Sequence, residues 1–159
     1  MPEERKCLAV IRVRGMSDIS SDVKETLQLL HLTRNCHATI IDNRPSYLGM
    51  LRKARSCLAW GEISKESIEL LLEKRGRLVG NKRLTEEYVQ RNSFKTLSDL
   101  AEIIHKVKAE YSSLPDIKPL FRLHPPKKGY QGKVKRSYSA GGVTGYQGEA
   151  INDLIKQMT

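Results

Sequence analysis

The residues of this sequence best suited to a binding task are cations set among glycines near its C-terminal end. The stretch HPPKKGYQGKVKRSYSAGGVTGYQG, residues 124–148, combines five lysines or arginines with frequent glycines and no acid. Cationic side chains neutralise phosphates, glycines let the backbone approach a ligand, and Tyr130 and Tyr138 offer rings for stacking on bases or sugars. The stretch therefore predicts an RNA contact, and a merely flexible, solvated loop is the alternative. Its cations are Lys127, Lys128, Lys133, Lys135 and Arg136.

The same stretch cannot form a core of its own. Its only aliphatic residues are Val134, Ala140 and Val143, which bury too little apolar surface to offset the entropy of ordering the segment. The sequences on either side, IKPLFRL and EAINDLIKQM, are apolar enough to be anchored. We therefore expect a loop with fixed ends and a free cationic middle that a partner orders. The glycines of GGVTGYQG follow no convincing strand and are interpreted as part of this loop.

The overall charge also favours a polyanionic partner. The chain has 159 residues with 28 lysines and arginines against 18 acids, which gives a net charge of +10 at pH 7. Residues 1–64 carry +3, residues 65–116 carry +1 and residues 117–159 carry +6, so the excess lies in the C-terminal part. The hydrophobic content of 39% indicates a globular domain. No window approaches the roughly 18 apolar residues of a membrane span, and the first residues lack a signal peptide's apolar region.

Other kinds of site are weakly supported. Cys7, Cys36 and Cys57 have no C-x-x-C spacing, so we expect reduced thiols that fill the core. A zinc set built on the cysteines and His37 is the alternative, although structural zinc ligands normally come in close pairs. VGNKRL lacks the spacing of a P-loop. RVRGMSD after the first strand resembles a loop with which small acyl-phosphate hydrolases hold phosphate, but no further part of that signature follows. We expect no catalytic residues, no metal and no organic cofactor.

The elements that must position the cations follow from hydrophobic periodicity. In residues 1–64, KCLAVIRVRG, CHATIID and CLAWGEIS predict strands. SDISSDVKETLQLLHL and NRPSYLGMLRKARS predict helices, the second with Pro45 in its first turn. The order β-α-β-α-β predicts two helices on one face of a small sheet and leaves the other face open. We expect Arg12 and Arg14 to reach RNA from that open face.

Helices dominate the rest of the chain. SKESIELLLEKRG predicts a helix capped by Ser64 and ended by Gly76, and a short helix follows in RLVGNKRLTEEYVQRN. FKTLSDLAEIIHKVKAEY predicts the best helix, with a capping-box-like start at Thr96 and an apolar seam that reaches Tyr111. The C-terminal EAINDLIKQM is also amphipathic. A helix-turn-helix within 65–111 is the alternative, but the near-neutral charge there argues against DNA binding.

The stretch TLQLLHLTRNCHATIIDNRPSYLGML resembles the core of the universal large-subunit ribosomal protein thirty family. That family shows a leucine-rich helix end, an arginine, a histidine opening the second strand, and Pro-x-x-x-Gly-Met at the second helix. The extension resembles the family's long archaeal and eukaryotic form, called protein seven in eukaryotes, through FRLHPP, the basic Gly-rich stretch and GGVTGYQGEAINDLIKQM. The resemblance covers essentially the whole chain. One departure is Gln147, where relatives often carry a basic residue. The matching core positions are Leu30, Leu32, Arg34, His37, Pro45, Gly49 and Met50.

The resemblance implies an α+β fold with a β-α-β-α-β, ferredoxin-like core. This core has a three-stranded antiparallel sheet with two helices on one face, and a mostly helical C-terminal extension with a basic Gly-rich loop wraps round it. The expected divisions are the core at 1–64, the helical extension at 65–123, the RNA-binding loop at 124–148 and a C-terminal helix at 149–159.

The family also implies a function. We expect a structural constituent of the cytoplasmic large ribosomal subunit, not an enzyme, that binds and stabilises folded large-subunit RNA beside neighbouring ribosomal proteins, with the five-S RNA near by. No membrane and no small-molecule substrate is implied. A ribosome-assembly factor or RNA chaperone that binds the same RNA transiently is the alternative. The expected RNA contacts are Arg12, Arg14, Arg44, Tyr47, Arg52, Lys53, Arg55, Lys127, Lys128, Tyr130, Lys133, Lys135, Arg136 and Tyr138.

Overall fold

The predicted α+β fold and its β-α-β-α-β core are present in the computed structural model. The first five elements are β1 (Cys7–Arg12), α1 (Ser21–Leu29), β2 (His37–Asp42), α2 (Pro45–Lys53) and β3 (Leu58–Glu62). Strand β1 lies between β2 and β3 and is antiparallel to both. No helix in the described part of the chain is long and apolar enough to span a bilayer. The structure describes residues 5–15, 19–92, 94–114, 116–130 and 132–159.

Helices α1 and α2 cover one face of this sheet, as predicted. The Ser20 hydroxyl accepts a hydrogen bond from the backbone N–H of Val23 and so caps α1. Pro45 is the first residue of α2, a position whose N–H has no acceptor within the helix. The lack of an N–H in proline therefore costs no hydrogen bond there. Both helices pack their apolar sides on the sheet and form one buried cluster with it. This cluster includes Leu8, Val10, Leu27, Leu30, Leu51, Leu58 and Trp60.

The opposite face of the sheet is covered as well, so the prediction of an open face is wrong. All six residues of β1 are buried, because Ala9 and Ile11 point away from α1 and α2 into a second apolar cluster. The extension supplies most of the remainder of that cluster. Three of its helices pack there through Leu71 and Leu72, Leu100 and Ile104, and Ile155. Alternating residues of one strand therefore face two different cores.

The helical extension begins and ends its helices largely where the sequence predicts. The helices are α3 (Lys65–Arg75), α4 (Glu86–Arg91), α5 (Leu97–His105) and α6 (Ile151–Met158). The Ser64 hydroxyl accepts from the N–H of Ser67, and the Thr96 hydroxyl accepts from the N–H of Asp99, so both predicted caps are confirmed. Gly76 lies directly after α3 and has no room for a Cβ beside the Leu72 carbonyl oxygen.

Helix α5 ends earlier than predicted. Its apolar seam suggests a helix as far as Tyr111, but the helix stops at His105 and Val107 has a left-handed φ of 58°. That conformation is unfavourable for a β-branched residue, and it turns the chain back along the sheet. Tyr111 then enters the core from a 3-10 turn and stacks on Phe121, with ring centroids 4.8 Å apart. Tertiary packing therefore fixes the position of Tyr111, not helical periodicity.

The extension also enlarges the sheet from the three predicted strands to six. These additional strands are β4 (Phe121–Arg122), β5 (Lys133–Ser137) and β6 (Gly142–Tyr146), and the order across the sheet is β4-β2-β1-β3-β6-β5. Strand β4 pairs with β2, whereas β6 runs parallel to β3 and carries β5 on its outer side. The interpretation of GGVTGYQG as a loop is therefore wrong, because the edge of β3 pairs with it.

Candidate nucleic-acid interface

The antiparallel pairing brings cations from separate segments to one end of the sheet. Arg12, the last residue of β1, lies opposite Leu58, the first residue of β3. The N–H of Cys36, just before β2, donates to the Arg12 carbonyl oxygen at 2.8 Å. The turn that leads into β2 and the turn that follows α2 are therefore neighbours. We call this the basic end of the sheet, and its cations are Arg14, Arg34, Arg52, Lys53, Arg55 and Arg122.

Helix α2 contributes the densest group of exposed cations to the basic end. Arg52 and Lys53 lie in its last turn, where the carbonyl ends of a helix favour positive charge, and Arg55 follows in the next turn. Arg14 is only partly exposed, and its Nη1 donates to the Ser56 carbonyl oxygen at 3.3 Å, which holds it beside this turn. None of the ion pairs found among the described residues involves these four cations. Their charge is available to an external anion.

Arg12 has a structural role, which contradicts the expectation that it reaches RNA from an open sheet face. Only 1% of this residue is exposed. Its Nε donates to the Arg14 carbonyl oxygen and its Nη1 to the Leu32 carbonyl oxygen, both at 2.9 Å. Burial lowers the pKa of this guanidinium, and the nearby Cys57 thiol partly offsets that effect. Arg12 ties the ends of β1 and α1 together and has too little exposed surface to bind a phosphate.

Arg44 and Tyr47 lie at the opposite end of the sheet and are already engaged. Arg44 makes two parallel 2.8 Å hydrogen bonds to the carboxylate of Asp42, forms a second ion pair with Glu110, and lies 4.8 Å from the centre of the Tyr47 ring. Burial pushes the pKa of Asp42 upward, but the hydrogen bonds and charge of Arg44 outweigh it and hold that pKa below its ordinary value. Two carboxylates thus neutralise Arg44, which joins β2 to the segment after α5.

The basic segment, residues 124–148, is attached to the rest of the protein at more points than its two ends. The N–H groups of His124 and Lys127 donate to the carbonyl oxygens of Met158 and Gln157, which close the C-terminal end of α6. Val143 and Thr144 of β6 are buried, and the Thr144 hydroxyl donates to the Arg136 carbonyl oxygen of β5 at 3.0 Å. This packing corrects the expectation of a free middle.

Most of the predicted contacts in the basic segment nevertheless present their side chains to solvent. The ring of Tyr138 is 44% exposed and lies in the turn between β5 and β6. Tyr130 differs, because its ring packs against the core, where burial and the neighbouring Cys36 thiol raise its pKa. The Lys135 side chain lies outside the described part of the structure. The exposed cations of the segment are Lys127, Lys128, Lys133 and Arg136.

Gln147 helps to attach the end of the basic segment to strand β3. Its side-chain Nε2 donates to the Val143 carbonyl oxygen at 2.6 Å, and its backbone N–H donates to the Trp60 carbonyl oxygen at 2.8 Å. The backbone bond extends the pairing of β6 with β3, and the side-chain bond returns to β6. An amide suffices for this role, so the position does not need the positive charge that the family resemblance suggests.

The three cysteines are unbonded and buried on both sides of the sheet. Cys7 and Cys36 pack in the cluster under the extension, whereas Cys57 packs under α1 and α2. Burial raises the pKa of Cys7 to about 12, with Asp42 adding to the shift, so its thiol stays protonated at neutral pH. These positions suit small apolar fillers of the core.

Comparisons with known proteins agree with this architecture. Residues 8–56, which extend from β1 to the turn after α2, match the family model described as ribosomal protein L30p/L7e. A protein from Methanosphaera stadtmanae named large ribosomal subunit protein uL30 is 45% identical over 153 residues, which cover 94% of this chain and 98% of that protein.

This chain belongs to the ribosomal protein L30p/L7e family.

Two further relatives with the same name show that the similarity includes the extension. The one from Archaeoglobus fulgidus is 44% identical over 94% of this chain, and the one from Methanopyrus kandleri is 40% identical over 92% of it. In each case the match covers nearly all of the relative, so the strands β4 to β6 and the helices α3 to α6 are part of a shared length. Membership of a ribosomal protein family also agrees with a structural component rather than an enzyme.

Proposed function

We propose that this protein is a structural constituent of the large ribosomal subunit and that it stabilises folded ribosomal RNA. The observation that carries the proposal is the basic end of the sheet. Its cations form no ion pair with any described carboxylate, and the relatives of the chain are named large ribosomal subunit protein uL30. Such an arrangement neutralises several phosphates at once. It acts by assembly and binding and involves no chemical step.

The proposed RNA surface has a rigid part and an adaptable part. The rigid part is Arg14, Arg52, Lys53 and Arg55, which are held by α2 and by a sheet that is packed on both faces. The adaptable part is the outer edge of the sheet at β5, with its glycines and exposed cations. A rigid platform binds RNA that is already folded, and a Gly-rich edge follows its surface closely. The proposed contacts of this adaptable part all lie in the basic segment, on β5 or in the turns beside it, and are Lys127, Lys128, Lys133, Lys135, Arg136 and Tyr138.

Four of the residues expected from the sequence are left out of this surface. Arg12 is buried, Arg44 is neutralised by two carboxylates, and the Tyr47 ring lies under Arg44 at the far end of the sheet. Tyr130 is assigned a mainly structural role, because its ring packs against the core. The partners of the surface are ribosomal RNA and neighbouring proteins of the cytoplasmic ribosome. We further propose that the five-S RNA lies close to the bound protein.

The experiment that tests this function is sedimentation of a cell lysate from the source organism on a sucrose gradient, before and after a high-salt wash. A resident constituent is present at one copy in mature large subunits and polysomes and survives the wash. Presence only in lighter, precursor particles would support the transient assembly factor instead. Absence from every ribosomal fraction would refute the proposal.

A further inference from the structure

Two arginine side chains and one histidine side chain form a row across neighbouring strands at the basic end of the sheet. His37 lies directly opposite Arg122 in the pairing of β2 with β4. The register of β1 and β2, in which Ile11 is opposite Ala38, places Arg12 opposite His37. Residues opposite one another in adjacent strands project from the same face, so Arg12, His37 and Arg122 share the face that carries α1 and α2.

The turn before β2 brings a third arginine to this row. The N–H of His37 donates to the Arg34 carbonyl oxygen, which closes the turn and keeps Arg34 next to the imidazole. Arg34 and Arg122 are both exposed, and neither takes part in an ion pair within the described ranges. Arg12 meanwhile donates to the Leu32 carbonyl oxygen in the segment between α1 and β2.

The environment of His37 reflects the positive charge of these arginines. The residue is only 9% exposed, and its Nδ1 is buried without a hydrogen-bond partner among the described residues. Such an atom is costly to leave unpaired. Burial lowers the pKa of the imidazole, and the charges of Arg122, Arg34 and Arg12 lower it further. Arg34 and Arg122 therefore bring positive charge close to the imidazole, and neither forms an ion pair among the described residues.

We propose that Arg34 and Arg122 hold one phosphate group of the RNA backbone over His37, as a site separate from the cations of α2 and of the basic segment. The two guanidiniums bracket the anion from the turn and from β4, and the imidazole beneath them supplies a third polar group. Arg12 positions the row from inside and does not touch the ligand. This site rests on the proposed RNA-binding function and adds β4, a strand of two residues, to the RNA surface.

The test compares Arg34→Gln/Arg122→Gln with the control Lys74→Gln/Arg91→Gln. Both variants lose two exposed charges, and the control loses them from helices α3 and α4. Binding to transcribed large-subunit RNA of the source organism is measured by filter retention at several salt concentrations. We expect the log–log salt slope of the site variant to be shallower than wild type by about 1.4 to 1.8, since each phosphate-neutralising cation contributes about 0.7 to 0.9. The control keeps the wild-type slope.

A second measurement checks the geometry independently of RNA. In the free site variant, NMR titration of the histidine ring protons should give a higher pKa for His37 than in wild type, because two neighbouring cations are gone. The control variant leaves the pKa of His37 unchanged. An unchanged slope in the site variant, or an unchanged pKa of His37, overturns the site. Failure of the wild-type protein to bind the RNA at all would instead refute the proposed function.

Discussion

Removing the five cations of the basic segment should flatten the salt dependence of RNA binding more than any other comparable change in this protein. Four of them are exposed, and Lys135 lies between Lys133 and Arg136 on the outer strand of the sheet. Glutamine keeps the length and polarity of each side chain and removes only the charge. The full variant changes Lys127, Lys128, Lys133, Lys135 and Arg136 to glutamine.

The expected magnitude follows from the number of charges. Five phosphate contacts at about 0.7 to 0.9 each predict a slope reduced by about 3.5 to 4.5. Between roughly 0.1 and 0.3 M monovalent salt, the wild-type protein should then lose about 50 to 150 times more affinity than the variant does. Such a difference is far larger than the scatter of a binding assay.

The assay is equilibrium filter binding to transcribed large-subunit RNA over that salt range, with folding of each variant verified by circular dichroism. A matched control removes five exposed cations from the helical extension, by changing Lys74, Arg91, Lys95, Lys106 and Lys108 to glutamine. The control should keep the wild-type slope within about one unit, since it alters the net charge equally but not the proposed surface.

Two results would contradict the reasoning. If the segment variant keeps the wild-type slope, its cations do not meet phosphates and the basic segment is a solvated edge. If the control variant loses as much slope as the segment variant, binding depends on net charge alone and the position of the cations is irrelevant. Either outcome leaves the fold unaffected.

Three further perturbations test the packing and the electrostatics. Gly61→Ala should lower the free energy of unfolding in urea by about 1 to 3 kcal/mol, because a Cβ there would overlap the backbone of Gly148. The control Gly49→Ala, at an exposed position of α2, should cause no loss. Equal stabilities of the two variants would refute this packing. Asp42→Asn should lower the free energy of unfolding at pH 7 by about 1.5 to 3 kcal/mol, because the ion pair with Arg44 is lost. Below pH 3.8, protonation of Asp42 removes the same contribution from the wild-type protein. The stability of the variant should therefore fall less than that of wild type in this range. The wild-type protein should lose stability as the pH falls below 6.5, because His37 takes up a proton more readily in the unfolded chain than in the folded protein, where its pKa is lowered. His37→Gln should weaken this pH dependence of the free energy of unfolding. An unchanged pH profile in the variant would contradict the prediction.

The local signals in the sequence are reliable where a short-range interaction sets the structure. Ser64 and Thr96 cap helices as predicted, because each hydroxyl bonds to an N–H only three residues away. The apolar stripe of α6 predicts its buried residues, and all four, Ile151, Leu154, Ile155 and Met158, are in the core. Helix α5 is the exception, because a left-handed residue at Val107 interrupts a pattern that periodicity alone continues.

The candidate site shows the same difference between features set by local sequence and features set by long-range contacts. Its residue types and charge excess are evident in the sequence, and so is the group at Arg52, Lys53 and Arg55. The sequence does not reveal that Arg12 is buried between two carbonyl oxygens or that Arg44 is neutralised by a carboxylate 66 residues away. It also omits Arg34 and Arg122 from the expected contacts, since a two-residue strand is too short to be recognised from periodicity.

The sequence by itself determined the α+β class, the β-α-β-α-β order and the family, because these follow from periodicity, caps and an ordered set of motif residues. Only the tertiary structure decided that both sheet faces are covered and that the Gly-rich segment contributes strands to the sheet. The physical reason is that an edge of a sheet pairs with whatever backbone reaches it, with little regard to side chains. Strand β6 buries only two side chains larger than glycine, Val143 and Thr144. It forms because the edge of β3 supplies the hydrogen-bonding partners that its own sequence cannot specify.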